Sequence, residues 1–240
     1  MMVPSSTLPD PTRPATVAAM FGQIAARYDL LNTLMTFGLD AGWRRRAVAA
    51  AALPAGGWAL DVGTGTGALA RALARAAPNA QVIGVDFAAP MLARAARGTS
   101  SAGARIRFVR ADAQALPFPA DTFDCVTSAF TIRNVADRLA AFREQARVLK
   151  PGGRVVCLEL TWPRAPLFRP VFRAYFRYWV PILGGLLAGS ARAYTYLPES
   201  VAQFPGPEAL AKLLRTAGFV AVRYELLGGG TVALHVGVRP

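Results

Sequence analysis

The chain has 240 residues, of which 53% are hydrophobic, so it can bury the core of one large domain, and a single domain is expected. Its 27 Lys and Arg residues against 14 Asp and Glu residues leave a formal net charge of +13, which favours nucleic acid or an anionic membrane as a partner. A composition rich in arginine and alanine is equally typical of a GC-rich genome. The two cysteines, Cys125 and Cys157, lie in apolar runs and are expected to be buried, and the sequence suggests neither a disulfide framework nor a metal site.

The first fourteen residues predict a flexible tail. They contain four prolines and lack the apolar run that a secretory signal needs. The longest apolar run, WVPILGGLLAG, is too short and too rich in glycine to span a bilayer. We therefore expect a cytoplasmic protein with a tail at residues 1–14 and one domain at residues 15–240.

Two helices are predicted between residues 15 and 52, where apolar residues recur with helical spacing. The break at residues 37–40 ends the first helix, and Asp40 is expected to cap the second. The first helix contains the stretch FGQIAARYDLLN, in which Tyr28, Asp29 and Asn32 form a polar cluster on an otherwise amphipathic helix.

Strands alternate with helices through the middle of the chain. The predicted strands are WALDV, AQVIGVDF, RIRFVRAD, FDCVTSAF and GRVVCLEL, the last after a turn at residues 150–153. Helices are predicted at residues 68–77, 90–97, 135–149 and 207–217. This alternation predicts a parallel sheet with helices on both faces. Two final strands joined by three glycines predict an antiparallel hairpin, which completes a seven-stranded mixed sheet.

A glycine loop follows the first predicted strand. Gly63, Gly65 and Gly67 stand at alternate positions of LDVGTGTGALA, where they allow a sharp turn and the close approach of a ligand. The spacing G-x-G-x-G differs from the G-x-G-x-x-G of dinucleotide sites, and Asp61 at the strand end would repel a phosphate. Because Asp61 suits an ammonium group, the loop favours a cationic ligand without phosphate.

Acidic residues also end the next two strands. Asp86 ends the second, where it could accept ribose hydroxyls, and Asp112 with its neighbour Ala113 ends the third, where an adenine edge would lie. A ligand with an amine, a ribose and an adenine but no phosphate is S-adenosylmethionine. A lone glycine loop is often only a turn, and an Asp at a strand end is often only a helix cap. Three acidic strand ends around one loop favour the cofactor interpretation.

The chain resembles the quinol C-methyltransferases of menaquinone and ubiquinone biosynthesis, most closely the demethylmenaquinone methyltransferases. The resemblance runs from about residue 21 to the C-terminus and rests on FGQIAARYDLLN, FGLDAGWRRRAV, LDVGTGTG, ALPFPADTFDCVT, IRNV, RVLKPGG, YLPESVAQFP and GGGTVALHVG. It implies a class I S-adenosylmethionine-dependent methyltransferase with a Rossmann-like α/β fold and an N-terminal helical lid. The implied acceptor is a polyprenylated quinol, demethylmenaquinol in the first place, with the benzoquinol of ubiquinone biosynthesis as the alternative.

The family's cofactor contacts, carried over by resemblance, fall on Thr66, Asp86 and the Asp112–Ala113 pair. The chain departs from the family at residues 129–131, where Ala-Phe-Thr replaces a common Ser-Phe-Gly, and at residue 68, where alanine replaces a common acidic residue. The chain therefore lacks the serine hydroxyl that would contact the cofactor from residue 129, and Thr131 could supply a hydroxyl from a neighbouring position.

The predicted chemistry needs no metal and no covalent nucleophile, since the cofactor supplies the leaving group. Arg133 and Asn134 follow the fourth strand, at the edge where the reacting methyl group would lie. Arg133 is predicted to stabilise a developing phenolate or to orient a water that takes the proton, and Asn134 to hold a quinol oxygen. The alternative is that Asn134 caps a helix beginning at Val135 while Arg133 is solvated.

Tyr28 is the third catalytic candidate. Tyr28 and Asn32 are four residues apart on one helix face, so both point into the site if residues 15–52 form a lid over the sheet edge. The alternative is a capping and packing role. His235, the only histidine, is expected to be a packed residue of the last strand rather than a base.

Residues 161–206 are predicted to face the substrate tail and the membrane. Arg169, Arg173 and Arg177 form a basic stripe beside aromatic residues, which suits an anionic membrane surface, with ordinary packing as the alternative. A transient contact with the inner face of the membrane is therefore expected, and a homodimer is left open. Nucleic acid is not an expected partner, because the Asn/Asp-Pro-Pro-aromatic run of base methyltransferases and a cysteine after proline are both absent. A non-catalytic binding module is a further alternative, which the intact glycines and acids oppose.

Overall fold

The computed structural model describes residues 22, 25, 27–99, 105–188 and 200–240, without the side chains of residues 184 and 186–188. The predicted tail at residues 1–14 lies outside these ranges, as does most of the predicted first helix before Tyr28. Seven strands form one sheet in the order β3-β2-β1-β4-β5-β7-β6. The strands are β1 (Trp58–Val62), β2 (Gln81–Asp86), β3 (Ile106–Arg110), β4 (Phe123–Ala129), β5 (Leu149–Leu160), β6 (Val220–Leu227) and β7 (Val232–Val238).

The predicted mixed sheet is confirmed. Strands β1 to β5 pair in parallel, whereas β7 pairs antiparallel with both β5 and β6. The parallel part directs the carboxyl ends of its strands to one edge, which is where ligands bind in such sheets. The three glycines at residues 228–230 form the turn of the final hairpin.

Eight helices have bounds among the described residues, and they cover both faces of the sheet. They are α1 (Tyr28–Met35), α2 (Leu39–Ala51), α3 (Ala68–Ala76), α4 (Ala89–Arg97), α5 (Arg138–Val148), α6 (Phe168–Ala174), α7 (Val180–Ala188) and α8 (Pro207–Thr216). A π-helical turn at Tyr175–Trp179 joins α6 to α7. Not one helix in the described ranges combines the length and the apolar character that a bilayer crossing requires.

The core consists of two apolar layers on the sheet. Successive strand residues alternate between them, so Ala59 packs with Leu73 of α3, and Leu60 packs with Phe142 of α5. Both cysteines are free and fully buried, as predicted, and burial raises the pKa of Cys125 to about 12. Neither thiol is therefore a nucleophile at neutral pH.

Two helix starts differ from the prediction. The helix expected from Val135 begins at Arg138, because Asp137 is its N-cap and accepts a hydrogen bond from the Ala140 amide at 2.9 Å. Residue Asp40 does not cap α2: Gly38 takes that position with φ +77°, and the Asp40 carboxylate instead binds Arg44 at 2.6 Å. Asp40 lies two residues after the N-cap, within the first turn of the helix, and a glycine fits the left-handed conformation of the cap better.

Two further local predictions can be compared with the fold. The turn expected at residues 150–153 lies inside β5, as an irregularity in its pairing with β4, and Gly152 has φ +79°. His235 is a packed residue, as expected: it is fully buried in β7, and its Nε2 lies 2.8 Å from the carbonyl oxygen of Pro207. Burial lowers the pKa of His235, so it stays neutral at neutral pH.

Candidate active site

The glycine loop after β1 has the backbone that its sequence predicts. Gly63, Gly65 and Gly67 have φ values of +67°, +56° and +81°, a region that other residues rarely adopt. A Cβ atom at Gly63 would lie 2.1 Å from Thr131 Cγ2, whereas a Cβ at Gly65 would have no atom within 4 Å. The Thr131 hydroxyl donates to the Gly63 carbonyl oxygen at 3.1 Å. The loop is thus closed against β4 at Gly63 and open at Gly65.

A pocket at the carboxyl edge of the sheet, hereafter the loop pocket, brings seven of the eleven predicted site residues together. These are Tyr28, Gly63, Gly65, Asp86, Asp112, Ala113 and Asn134. Apolar side chains, among them Met91 and Val135, complete the wall. The pocket therefore has both the acids and the flat apolar surface that a nucleoside requires.

The carboxylate of Asp86 joins the glycine loop to the start of α4. It accepts hydrogen bonds from the amides of Gly65 and Ala88, both at 2.8 Å. Burial raises its pKa above the usual range of an aspartate. Asp112, at the end of the neighbouring strand, accepts a bond from the Gln114 amide at 2.9 Å. Both acids are therefore fixed by backbone amides at the pocket wall.

The predicted residues Asp61, Thr66 and Gly67 do not line the loop pocket. Asp61 is 1% exposed and accepts bonds from the hydroxyls of Thr64 at 2.7 Å and Thr127 at 2.8 Å. Burial raises the pKa of Asp61 to about 6. The Thr66 hydroxyl donates to the carboxylate of Asp29 at 2.6 Å. These residues support the loop from behind, and Thr66 ties it to α1.

A second cavity of about 340 Å³, hereafter the apolar cavity, lies between α1, α2 and α6. Its lining is mostly aromatic and aliphatic and includes Met35, Phe37, Trp43, Leu160, Val171, Phe172, Tyr175, Phe176 and Val180. Tyr28 and Phe130 line both the apolar cavity and the loop pocket. The two spaces therefore adjoin at these two side chains.

Arg133 lines the apolar cavity and is buried, not solvated. One terminal nitrogen of its guanidinium donates to Glu159 Oε2 at 3.1 Å and also to the carbonyl oxygen of Phe130. Its Nε is a buried donor with no hydrogen-bond partner among the described residues. Asn134 belongs to a 3₁₀ turn at Ile132–Asn134 and does not cap α5. The alternative of a helix cap beside a solvated arginine is therefore wrong.

The three polar residues of α1 have different surroundings. Tyr28 is hydrogen-bonded to the Asn32 side chain, and burial raises the pKa of its hydroxyl. Asn32 lines the apolar cavity, whereas Asp29 faces the glycine loop through Thr66. Helix α1 therefore covers the junction of the loop pocket and the apolar cavity with one polar turn.

Sequence reasoning missed Glu159, the buried partner of Arg133. The side chains of the pair are 5% and 1% exposed. The available signal was an acid inside the apolar strand GRVVCLEL, because a carboxylate is rarely buried without a cation beside it.

Comparison with known proteins identifies the family of the chain. Residues 10–239 match the profile of the ubiE/COQ5 methyltransferase family. The demethylmenaquinone methyltransferase of Thermus thermophilus is 54% identical over 92% of this chain and 100% of its own length. The ubiquinone/menaquinone biosynthesis C-methyltransferase UbiE of Desulfotalea psychrophila is 45% identical over 93% of this chain and 90% of its own.

Solved structures with low sequence identity share the fold. The [4+2]-cyclase SpnF superposes with a TM-score of 0.70 at 19% identity, covering 95% of this chain and 96% of its own. A SAM-dependent methyltransferase from Thermotoga maritima, described as a possible histamine N-methyltransferase, has a TM-score of 0.65 at 21% identity and covers 92% of this chain and 99% of its own. The predicted class I, Rossmann-like methyltransferase fold is confirmed, and the extent of the sequence matches places this chain in the ubiE/COQ5 methyltransferase family.

Proposed function

We propose that this protein transfers a methyl group from S-adenosylmethionine to a ring carbon of a polyprenylated quinol, with demethylmenaquinol as the substrate. The observation that carries the proposal is the junction at Tyr28 and Phe130, where the acidic loop pocket adjoins an aromatic cavity. One space suits a charged nucleoside and the other suits an apolar ring with a hydrocarbon tail. The names of the relatives favour demethylmenaquinol, and the benzoquinol of ubiquinone biosynthesis is the second candidate.

The residues of the loop pocket fit S-adenosylmethionine. The carboxylate of Asp86 would accept the ribose hydroxyls, Asp112 and Ala113 would meet the adenine, and the open side of Gly65 leaves room for the ligand. The charge of Asp61 would attract the ammonium group from behind the loop, because buried charges act over several ångströms in a low dielectric. When bound, S-adenosylmethionine supplies an electrophilic methyl group with a neutral leaving group.

Residues at the junction would prepare the acceptor. A quinol carbon becomes nucleophilic as a ring hydroxyl loses its proton, so a cation beside that oxygen lowers the barrier. Arg133 lines the apolar cavity, and its guanidinium would supply that cation. Tyr28 and Asn134 would hold the other polar atoms in place, and the hydroxyl proton would leave to water. After the ring carbon has taken the methyl group, it would lose its own hydrogen to water as a proton and the oxygen would be reprotonated, so that the aromatic quinol is restored with the net release of one proton.

Helices α1 and α2, within the predicted lid at residues 15–52, would close the site over both reactants. The hydrogen bond from Thr66 to Asp29 already joins α1 to the glycine loop. Closure would exclude water from the sulfonium and hold the acceptor at reacting distance.

An assay with labelled S-adenosylmethionine and both quinols tests the proposal. The wild-type protein should methylate demethylmenaquinol faster than the benzoquinol. Arg133→Ala should lower kcat by about 100- to 1,000-fold while calorimetry shows unchanged cofactor affinity. Arg223→Ala, which removes an exposed arginine of β6, is the control and should be fully active. Unchanged turnover in Arg133→Ala would remove Arg133 from the mechanism.

We also propose that the predicted insertion at residues 161–206 collects the quinol from the inner face of the cytoplasmic membrane. Residues 189–199 lie outside the described ranges. Large apolar side chains are exposed on α6, α7 and their junctions: Leu167 at 87%, Val171 at 63% and Trp179 at 59%. Arg169, Arg173 and Arg177 are exposed beside them and would bind anionic lipid headgroups.

Flotation with liposomes tests the membrane contact. The wild-type protein should float with anionic liposomes at physiological salt and less with neutral ones. A Leu167→Ser/Trp179→Ser variant should remain in the lower fraction, whereas Leu226→Ser, which changes an apolar residue of β6 that is 38% exposed, should behave as the wild type. Equal flotation of the two variants would contradict this membrane surface.

A further inference from the structure

Arg133, which lines the apolar cavity, forms a buried ion pair with Glu159, and neither the sequence motifs nor the family names assign a role to this acid. We propose that Glu159 is a positioning residue, which holds the Arg133 guanidinium in the one orientation that can meet a quinol oxygen. This inference rests on the proposed function, since it gives Arg133 a substrate to meet. Glu159 itself lines neither the loop pocket nor the apolar cavity, so it would act through Arg133.

Both oxygens of Glu159 are engaged, and two of the three bonds come from Arg133. Oε1 accepts the backbone amide of Arg133 at 3.2 Å, and Oε2 accepts its guanidinium at 3.1 Å. Oε2 also lies 3.3 Å from the amide of Leu160. The carboxylate therefore binds both the main chain and the side chain of Arg133. These contacts fix the arginine at its backbone and at its guanidinium.

The carboxylate is rigid because it belongs to an interior strand. Residue Glu159 is opposite Ala233 of β7, and the preceding Leu158 pairs with Ala129 of β4. The turn that carries Arg133 follows β4 directly. A carboxylate in the middle of the sheet thus sets the position of a side chain on a short turn at its edge.

Two acceptors limit the orientation of the guanidinium. A terminal nitrogen is held by Glu159 and by the carbonyl oxygen of Phe130, so the planar group cannot rotate about its long axis. Because Arg133 lines the apolar cavity, its charge is then held in one place beside that space. Loss of Glu159 would leave the guanidinium with one acceptor and several orientations.

The same contacts restrain Phe130, which separates the two spaces. Phe130 has φ +58°, a strained value for a residue with a side chain, and its carbonyl oxygen accepts the bond from Arg133. The side-chain amide of Asn134 also donates to this oxygen, at 3.4 Å. Glu159 would therefore stabilise the wall at which cofactor and acceptor meet, in addition to the cation itself.

Stability alone is a poor reason for such a pair. Apolar residues of similar volume fill a core as well as a buried ion pair does, because desolvation offsets much of the attraction between the charges. Burial raises the pKa of Glu159, and the charge of Arg133 opposes this rise. The position of Arg133 at the wall of the apolar cavity agrees with a role in the reaction.

Steady-state kinetics of Glu159→Gln test the proposal. The amide preserves shape but loses the charge, so kcat for quinol methylation should fall by about 10- to 100-fold, by analogy with the loss seen when hydrogen-bond partners of metal ligands are removed. The KM for the quinol should change much less than kcat, and calorimetry should give the wild-type affinity for S-adenosylmethionine. Asp124→Asn is the matched control, since it breaks an ion pair with Lys150 near the amino end of β4. It should leave kcat unchanged.

A double-mutant cycle separates positioning from a structural role. If Glu159 acts through Arg133, Glu159→Gln should have almost no further effect on kcat in the Arg133→Ala background. An equal loss in both backgrounds would overturn the proposal, as would a fully active Glu159→Gln. Should Glu159→Gln fail to fold, Glu159→Asp keeps the charge but shortens its reach, and it should lose kcat while melting near the wild-type temperature. Wild-type kcat in the aspartate variant would also overturn it, whereas an inactive wild type would refute the proposed function instead.

Discussion

The loop pocket and the apolar cavity meet at two side chains but are built in different ways. Apart from Tyr28, the loop pocket is lined by residues between 62 and 136, at strand ends and in the loops that follow them. The apolar cavity collects residues from 28–44, 130–133, 160–180 and 228–231. One space is therefore made of neighbouring segments of a single α/β unit, and the other is assembled from segments spread over most of the chain.

The forces that hold the two spaces together differ as well. Hydrogen bonds fix the loop pocket, among them those from the amides of Gly65 and Ala88 to Asp86. Aromatic packing holds the apolar cavity: the Phe172 ring lies 4.8 Å from that of Phe176 and 5.8 Å from that of Trp162, centroid to centroid. Directional bonds suit one defined ligand, whereas apolar packing tolerates changes in shape. Substitutions in the loop pocket should therefore cost more than those in the cavity.

The largest effect is expected from Gly63→Ala. The new Cβ would collide with Thr131 and would hold a positive φ, so the free energy of unfolding should fall by about 2–5 kcal/mol and cofactor binding should weaken with it. Urea denaturation and calorimetry measure the two effects. Gly65→Ala is the control: it has the same kind of φ but no collision, and it should cost about 1–2 kcal/mol of stability. Equal losses in the two variants would show that the contact with Thr131 is unimportant.

Asp61→Asn should show how much the buried carboxylate behind the glycine loop lowers the stability of the protein at neutral pH. Burial raises the pKa of Asp61 to about 6 from 3.8, so the folded state holds the proton more tightly than the unfolded state. The contribution of protonated Asp61 to the free energy of unfolding is fully present below pH 4. It is lost as the pH rises through about 6, which lowers the free energy of unfolding by about 3 kcal/mol. The variant should thus be more stable than the wild type at pH 7, by up to this amount, and similar at pH 4, while binding S-adenosylmethionine more weakly.

Urea denaturation between pH 4 and 7.5 measures this difference. Asp124→Asn serves as a control in which the change of stability with pH has the opposite sign. Partial burial raises the pKa of Asp124, but hydrogen bonds from Lys150 and the Trp58 amide lower it by more, so the pKa lies below the usual range. The stabilising effect of its carboxylate is present above the unfolded pKa, so this variant should be destabilised at pH 7 and not at low pH. A pH-independent effect of Asp61→Asn would contradict the burial of a charge at this position.

In the apolar cavity, Phe172→Ala should raise the KM for a quinol with a long tail by about 10-fold, equivalent to about 1.4 kcal/mol of lost contact. Cofactor affinity should not change, because Phe172 does not line the loop pocket. Steady-state kinetics with a long-tailed and a short-tailed quinol measure the effect. Tyr178→Ala is the control, since Tyr178 follows in the same helical segment but is 61% exposed and does not line the cavity. A larger effect on cofactor affinity than on the quinol KM would break the division between the two spaces.

The smallest effect is expected from Thr66→Val, which removes the bond between the glycine loop and Asp29 of α1. One hydrogen bond contributes about 0.5–1.5 kcal/mol, so the dissociation constant of S-adenosylmethionine should rise by no more than about 10-fold. Calorimetry measures it. Thr122→Val removes a comparable hydroxyl contact, with the carbonyl oxygen of Pro119, far from α1. A cofactor affinity unchanged by Thr66→Val would mean that α1 contributes nothing to cofactor binding.

The features that local chemistry controls could be predicted from the sequence. The order of strands and helices follows from apolar periodicity, and the positive φ of Gly63, Gly65 and Gly67 follows from their place between a strand and a helix. Asp86 and Asp112 line the loop pocket because parallel strands end at one edge. These inferences need only neighbouring residues and the rules of α/β connection.

Only the tertiary structure decided which side chains are partners. Thr66 and Asp29 are 37 residues apart, and Arg133 and Glu159 are 26 apart, so no local pattern relates them. The start of α5 at Arg138 instead of Val135 is another case, because residues 132–134 form a separate turn that contains the buried Arg133. The sequence by itself determined where backbone shape and strand ends place the loop pocket. The apolar cavity and the Arg133–Glu159 pair depended on the packing of distant segments, since burial and charge pairing are properties of the folded chain.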